Sequence, residues 1–277
     1  KGCGTSFGWI AEHQHSLLLK AGETQSCESC TVTDMIDTAI QLAKCGYEEC
    51  WDDADRFFRN YFSEAQLKDG SWMKCSVRKE DTLMSSFKDV PSRIEGCFVG
   101  WGNPNDFVNP NARRKYSIQH CCGPHGAYGM YLVWHNIITQ DKGTLNVNLL
   151  LSRNSKLADI RSFVPYEGRV EITPKIDCTL SVNVMPKTAA AKITVLVDGK
   201  SAGFETKGSM VEIKNVPKNR KTVVEFPLEY HTENKTINGT DYCLHWKGNT
   251  VVEISPKGTV QPLFVRSYFR EDRAPEA

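Results

Sequence analysis

The spacing of the apolar residues changes once along this chain of 277 residues, at Asp141-Lys142-Gly143. Before this point, apolar side chains recur every three or four residues, which is typical of helices with one buried side. After it, apolar and polar side chains alternate, which is typical of strands with one buried face. The change predicts two domains: a helical domain over residues 1–142 and a β domain over residues 143–277.

Of the roughly four or five helices predicted in the first domain, three have a clear amphipathic pattern. Thr33 or Asp34 can cap the first helix and Asp52 the second, and these two helices would form an αα-hairpin. A Gly-Pro pair breaks the chain before Gly126, where the third helix is expected to begin. The predicted buried residues are Met35, Ile36, Ala39, Ile40 and Ala43 in the first helix, Ala54, Phe57, Phe58, Tyr61, Phe62 and Ala65 in the second, and Met130, Leu132, Val133, Ile137 and Ile138 in the third.

The remaining segments are predicted to be loops and strands. Residues 67–116 show little periodicity beyond a strand-like stretch at 72–77, so we expect long active-site loops there. Seven or eight short strands separated by turn signals predict a β-sandwich that packs on the helical domain. They are expected around residues 145–151, 170–172, 180–184, 193–197, 211–213, 223–226, 251–254 and 263–265.

Charge and hydropathy argue against two classes of partner. The formal net charge of +1 gives no long-range attraction to nucleic acid or to anionic lipid. No run of about 18 apolar residues occurs, so no segment is expected to span a bilayer. We therefore expect neither nucleic acid nor a membrane as a partner, and the assembly state is left open, with a homodimer as one option.

Eleven cysteines are many for a chain of this size, and nine of them precede residue 123. A secreted protein held together by disulfides would usually spread its cysteines along the chain. The clustering instead favours a metal or thiolate site in the first half of the chain, with several cysteines as bystanders.

The adjacent pair Cys121-Cys122 is the most informative part of that cluster. Neighbouring cysteines join to each other with difficulty, because a disulfide needs Cβ atoms that point towards one another. Both can face one metal ion, or one can be a nucleophile that the other helps to hold. A following helix would favour thiolate through its dipole. The alternative is that both are small buried apolar residues, as free cysteine usually is.

Further candidate ligands lie at Glu28-Ser29-Cys30. In an extended segment Glu28 and Cys30 would project to the same side, and with Cys121 and Cys122 they make a four-ligand set that suits Zn²⁺. A closed structural site made of Cys27, Cys30 and the Cys121-Cys122 pair is the alternative.

Glu12 is the candidate general acid or base, because a spare carboxylic acid near a metal-held thiolate can exchange protons with a substrate. It is flanked by His13 and His15, which could be metal ligands, although solvated or packing histidines are commoner.

The order Glu12, Glu28-x-Cys30 and Cys121-Cys122, followed by β strands, resembles the zinc-dependent β-L-arabinofuranosidases of glycoside hydrolase family 127 and the related family 146. The resemblance implies the C-terminal part of an (α/α)₆ barrel followed by a β-sandwich. It implies that Cys121 is the nucleophile and forms a thioglycosyl intermediate with retention of configuration. It also implies that Zn²⁺ is bound by Glu28, Cys30, Cys121 and Cys122, and that Glu12 is the acid/base.

Three departures from the family pattern stand out. Gly123-Pro124 follows the double cysteine where a Pro-rich sequence is expected, and Gln119 stands where a sugar-contacting histidine is expected. Four or five helices are predicted, whereas an (α/α)₆ barrel needs twelve. The first half of the barrel is therefore expected to be missing, and the chain to be the C-terminal part of a longer enzyme.

The expected function is that of a retaining glycoside hydrolase that cleaves terminal β-L-arabinofuranosyl or similar furanosyl residues. Its partner would be an arabinofuranosyl-containing glycan or oligosaccharide. The alternative is a non-catalytic, zinc-stabilised carbohydrate-binding or scaffold protein, and a weaker one is an interaction module with inert cysteines. Because the thiolate site must stay reduced, the cytoplasm or periplasm is favoured as the compartment.

Overall fold

A computed structural model of the protein describes residues 4–12, 20–73, 86, 88–111, 118–184 and 189–275. Helices come first in the chain and strands follow, as predicted. Within the described ranges the α-helices are α1 (Ser29–Lys44), α2 (Cys50–Phe57), α3 (Val90–Arg93) and α4 (Cys122–Asn136). Helix α2 continues into a π-helical turn at Phe58–Phe62, and short 3₁₀ turns lie at Ala190–Lys192 and Ser267–Arg270.

Helices α1 and α2 pack against each other and form the predicted αα-hairpin. Helix α1 begins at Ser29, before the predicted caps Thr33 and Asp34. The prediction was wrong because Val99, far along the chain, accepts hydrogen bonds from both the backbone N–H and the hydroxyl of Ser29. The helix start is thus stabilised without a side-chain cap. Met35, predicted as buried, is 36% exposed.

The other two predicted helix starts were also placed too late. Helix α2 begins at Cys50, which puts Asp52 in its first turn rather than at its cap, where the helix dipole favours a carboxylate. Helix α4 begins at Cys122, before Gly126. Pro124 does not break it, because a backbone N–H in the first turn has no partner within the helix to lose.

Two residues predicted for the buried side of the third helix lie elsewhere. Met130 is 43% exposed on α4, and Ile138 begins the first strand. The predicted boundary at Lys142-Gly143 is a hairpin turn between two strands, where both residues have positive φ (42° and 85°). The change from helix to strand therefore comes earlier, after Asn136.

The strands of the described residues form three sheets, of five, six and three strands in the orders β1-β2-β6-β10-β9, β3-β4-β5-β11-β7-β8 and β12-β13-β14. Only the β2–β6 pair among them is parallel. The strands are β1 (Ile138–Asp141), β2 (Thr144–Val147), β3 (Arg153–Asn154), β4 (Ala158–Ser162), β5 (Arg169–Pro174), β6 (Cys178–Asn183), β7 (Thr194–Val197), β8 (Lys200–Ser201), β9 (Glu205–Lys207), β10 (Met210–Val216), β11 (Thr222–Glu225), β12 (Tyr230–Ile237), β13 (Thr240–Lys247) and β14 (Thr250–Ser255).

Every predicted strand segment contains a strand except residues 263–265, which lack regular structure. The stretch at 72–77 lies largely outside the described residues. Buried residues alternate along β5, whereas β6 is buried along most of its length. Apolar residues of the two larger sheets belong to one hydrophobic core. The closed sandwich, the helical barrel and the division into two domains stay predictions.

The C-terminal part of the chain packs on the helices, as predicted. Arg266 and Glu64, both buried, form an ion pair at 2.8 Å, and Glu64 also accepts the backbone N–H of Phe264. Asn60 accepts the backbone N–H of Val251 at 2.8 Å. None of the described helices combines the length and the apolar character needed to cross a bilayer.

Helix α4 packs closely because it carries glycine at the contact. A Cβ on Gly126 would overlap the Phe98 ring, whereas a Cβ on Gly123 would lie 3.9 Å from its nearest neighbour, the Cys97 sulfur. We expect Gly126→Ala to lower the free energy of unfolding by about 1–3 kcal/mol. The matched variant Gly123→Ala should raise it, by less than about 1 kcal/mol, through loss of backbone entropy in the unfolded chain.

Denaturant unfolding of the reduced protein measures both changes under the same conditions. Equal effects of the two substitutions would contradict the packing described for α4.

Candidate metal centre

Four candidate ligands meet where two helices begin. Glu28 immediately precedes α1 and Cys30 lies in its first turn, while Cys121 immediately precedes α4 and Cys122 is its first residue. Their ligand atoms all lie within 4.8 Å of one another, so the cluster could hold a metal ion. The positive ends of two helix dipoles therefore face a set of ligands that are anionic when they bind metal.

Four of the six distances between the ligand atoms are close to those of tetrahedral coordination. The sulfur of Cys122 lies 3.6 Å from that of Cys30 and 3.9 Å from that of Cys121. Oε1 of Glu28 lies 3.3 Å from the Cys121 sulfur and 3.7 Å from the Cys122 sulfur. Metal–sulfur bonds of about 2.3 Å and metal–oxygen bonds of about 2.1 Å give tetrahedron edges of roughly 3.8 and 3.6 Å. The donor set thus fits a single four-coordinate ion.

The route by which Glu28 and Cys30 reach the cluster differs from the prediction. We expected both to project from one extended segment, but Cys30 is helical and only Glu28 has extended backbone angles. The convergence comes instead from the meeting of α1 with α4, a tertiary contact that spacing alone does not reveal.

Cys27 does not belong to the cluster, so the predicted alternative of a four-cysteine site was wrong. Its sulfur is fully buried and accepts the backbone N–H of Ile10 at 3.4 Å. Burial raises the pKa of the Cys27 thiol far above its ordinary value, which keeps the group neutral. Cys27 therefore behaves as a small buried apolar residue.

Burial also governs the protonation of two cysteines of the cluster. It raises the pKa of the Cys30 thiol to about 12 and that of the Cys122 thiol well above its ordinary range. The prediction that the dipole of the following helix favours thiolate is thus wrong for Cys122, because desolvation outweighs the dipole. Without a metal ion both are thiols at neutral pH. Cys122 is buried, whereas Cys121 is partly exposed.

Glu12 lies on a segment that runs beside the residues leading into α1. Its backbone N–H donates to the carbonyl oxygen of Ser26 at 2.9 Å. Its side-chain Oε2 accepts a hydrogen bond of 2.6 Å from Nε1 of Trp101. The segment that carries Glu12 is therefore hydrogen-bonded to the segment that leads to Glu28. His13 and His15 lie outside the described residues.

A short extended segment, residues 97–102, connects all these groups. Val99 accepts the hydrogen bonds of Ser29 and pairs with Ile118, close to the cysteine pair. Gly102 pairs with Cys27, just before Glu28. Residues 97–102 fall within the predicted long loops, and Trp101 was not predicted as a site residue. The available signal was the alternation of glycine with apolar residues. Glycine is needed because a Cβ on Gly100 would lie 2.8 Å from that of Gln119.

Metal binding at this cluster should strengthen as pH rises. Each thiol must lose its proton to bind metal, and the raised pKa of Cys30 and Cys122 means that these protons are present at neutral pH. We expect the Zn²⁺ affinity to rise by up to about tenfold per pH unit for each proton released. Titration against a competing chelator measures it between pH 6 and 8.

Cys30→Ser should weaken binding and flatten this pH dependence. Cys45→Ser is the matched control, because Cys45 lies exposed at the other end of α1. A pH-independent affinity, or equal effects of the two substitutions, would contradict the assignment of Cys30 as a ligand.

No protein-family model matches the sequence, and no curated protein matches it. Solved structures do match the fold, among them three glycoside hydrolases. A GH127 β-L-arabinofuranosidase from Geobacillus stearothermophilus T6 matches with a TM-score of 0.55 at 13% identity, over 91% of this chain and 41% of that one. A second GH127 β-arabinofuranosidase matches with a TM-score of 0.63 at 12% identity, over the same shares of the two chains.

The third match, a glycoside hydrolase, has a TM-score of 0.58 at 11% identity and covers 84% of this chain and 38% of that one. The protein therefore spans about two fifths of the length of the structures it matches. At these identities the likeness establishes a common fold, which agrees with the resemblance inferred from the order of Glu12, Glu28, Cys30 and the cysteine pair. The chain resembles the GH127 β-L-arabinofuranosidases in fold over most of its length.

Proposed function

We propose that this chain carries the catalytic centre of a retaining glycoside hydrolase that removes terminal β-L-arabinofuranosyl or similar furanosyl residues from glycans or oligosaccharides. The observation that carries the proposal is the cluster of three sulfurs and one carboxylate whose ligand atoms all lie within 4.8 Å of one another, and in which Cys121 is partly exposed. The fold shared with GH127 β-L-arabinofuranosidases supports the same reading and suggests the sugar.

Zn²⁺ is the ion that suits this donor set. Three cysteine sulfurs and one carboxylate oxygen in a four-coordinate arrangement are typical zinc ligands. Glu28, Cys30, Cys121 and Cys122 would hold the ion. When bound, it would keep the cysteines deprotonated at neutral pH and fix their positions.

Cys121 is the proposed nucleophile. Retaining glycosidases usually employ a second carboxylate for this role, and here a thiolate takes its place. The sulfur attacks the anomeric carbon, so that a C–S bond forms while the C–O bond to the leaving group breaks. Partial exposure makes Cys121 a better candidate than the buried Cys122.

Glu12 is the proposed acid and base. Its carboxylic acid gives a proton to the departing oxygen in the first step. In the second step its carboxylate takes a proton from water as that water attacks the anomeric carbon, and the C–S bond breaks to return the Cys121 thiolate. Two inversions at one carbon give net retention of configuration.

A non-catalytic zinc site is the second candidate, in a carbohydrate-binding or scaffold protein. The observation in its favour is that Cys122 is buried at the start of a helix, as in structural zinc sites. Such a site does not need a carboxylic acid for proton transfer. The effect of substituting Glu12 therefore distinguishes the two proposed functions.

Glu12→Gln should lower kcat on an arabinofuranoside by about 10²–10⁴-fold, because proton transfer is lost. The zinc content should not change, since Glu12 is outside the ligand set. Glu23→Gln is the matched control, because Glu23 caps a nearby turn through the backbone N–H of Lys20 and should be silent. Hydrolysis of an aryl β-L-arabinofuranoside, with the product anomer identified by NMR, measures the effect.

An active Glu12→Gln variant, or an inverted product, would reject the proposed mechanism. Zinc binding without any hydrolysis by the wild type would favour the scaffold reading.

A further inference from the structure

The indole of Trp101 contacts the carboxylate that the proposed function employs as acid and base. Its Nε1 donates a hydrogen bond of 2.6 Å to Oε2 of Glu12, and only 3% of the Trp101 residue surface is exposed. A charge-assisted hydrogen bond of this length in a partly buried setting is among the stronger contacts a carboxylate can make.

The backbone on both sides of Trp101 is fixed by its surroundings. Gly102 exchanges two backbone hydrogen bonds with Cys27, both of 3.0 Å, and its carbonyl oxygen also accepts the indole N–H of Trp9 at 3.2 Å. On the other side, Gly100 lies so close to Gln119 that a side chain there would collide with it. The indole N–H of Trp101 is therefore a donor whose position the fold determines.

An indole N–H can donate a hydrogen bond but cannot accept one. Oε2 of Glu12 therefore cannot direct a proton towards the indole and still accept this hydrogen bond. In the protonated state of Glu12 the proton favours the other oxygen, Oε1, because the carbonyl oxygen of a carboxylic acid is a better acceptor than its hydroxyl oxygen. The contact thus selects both the orientation of the carboxyl group and the atom that carries its proton.

We infer that Trp101 is a positioning residue, which acts through Glu12 by holding Oε2 and placing the transferable proton on Oε1. The inference rests on the proposed role of Glu12 as acid and base. Loss of the indole donor should let the carboxyl group rotate, and misplacement of a catalytic group by about 1 Å can cost on the order of 10²-fold in rate.

Trp101→Phe removes the donor and retains an aromatic ring. Two substrates with the same sugar reveal its effect: an alkyl arabinofuranoside, whose leaving group needs a proton, and a nitrophenyl arabinofuranoside, whose leaving group does not. We expect kcat/KM to fall by about 10–100-fold on the alkyl substrate and by less than about threefold on the nitrophenyl substrate. The loss should appear mainly in kcat rather than in KM.

Trp72→Phe is the matched control, because the Trp72 indole N–H is buried without a hydrogen-bond partner among the described residues. It should leave the ratio of the two kcat/KM values unchanged. An equal loss on both substrates in Trp101→Phe would show a merely structural role and overturn the inference.

A second measurement does not depend on activity. The protein has six tryptophans, and Trp101→Phe identifies the Trp101 indole signal in a ¹H–¹⁵N correlation spectrum. Glu12→Ala removes the acceptor, so this signal should move upfield, while the other indole signals should stay in place. An unmoved signal would overturn the inference. Failure of the proposed function is distinct: the wild type would show no hydrolysis of either substrate, whatever the spectrum shows.

Discussion

The contact between the starts of α1 and α4 is the interaction on which the candidate site depends. Residues 97–102 fix this contact from both sides, since Val99 accepts the hydrogen bonds of Ser29 and the Phe98 ring lies against Gly126. Phe98 also packs on Phe62, with ring centroids 4.9 Å apart, which joins the site to the helical hairpin. The positions of the four ligand atoms are thus set by backbone pairing and close aromatic packing.

Burial makes free thiolates unfavourable at two of the four candidate ligands. Cys30 and Cys122 are held as neutral thiols when no cation is near, because a thiolate in a desolvated place is unfavourable. A divalent ion that replaces their protons removes that penalty and links the two helices. Metal binding is therefore expected to be coupled both to pH and to the stability of the contact. The partly exposed Cys121 differs from its neighbour in being reachable by a ligand.

Much of the fold follows from apolar spacing, and the remainder depends on contacts distant in sequence. The buried residues of α1, such as Ile36 and Ile40, were predictable because their period is that of a helix. Its true start was not, because Val99 stabilises Ser29 from 70 residues away. Strand β12 was missed because it is an exposed, polar edge strand. The turn at Asn238-Gly239, with φ of 54° and 76°, was the available hairpin signal.

The site itself could be predicted as a set of residues but not as a geometry. The double cysteine and the Glu-x-Cys pair were recognisable as candidate ligands, whereas Trp101 could not be connected to Glu12 without the tertiary structure. X-ray absorption spectroscopy of the reduced, zinc-loaded protein measures the number, type and distance of the ligand atoms. We expect one ion with three sulfur neighbours at about 2.3 Å and one oxygen neighbour at about 2.1 Å. A first shell of nitrogen and oxygen alone, or a folded chain that binds no zinc, would contradict the proposed zinc site.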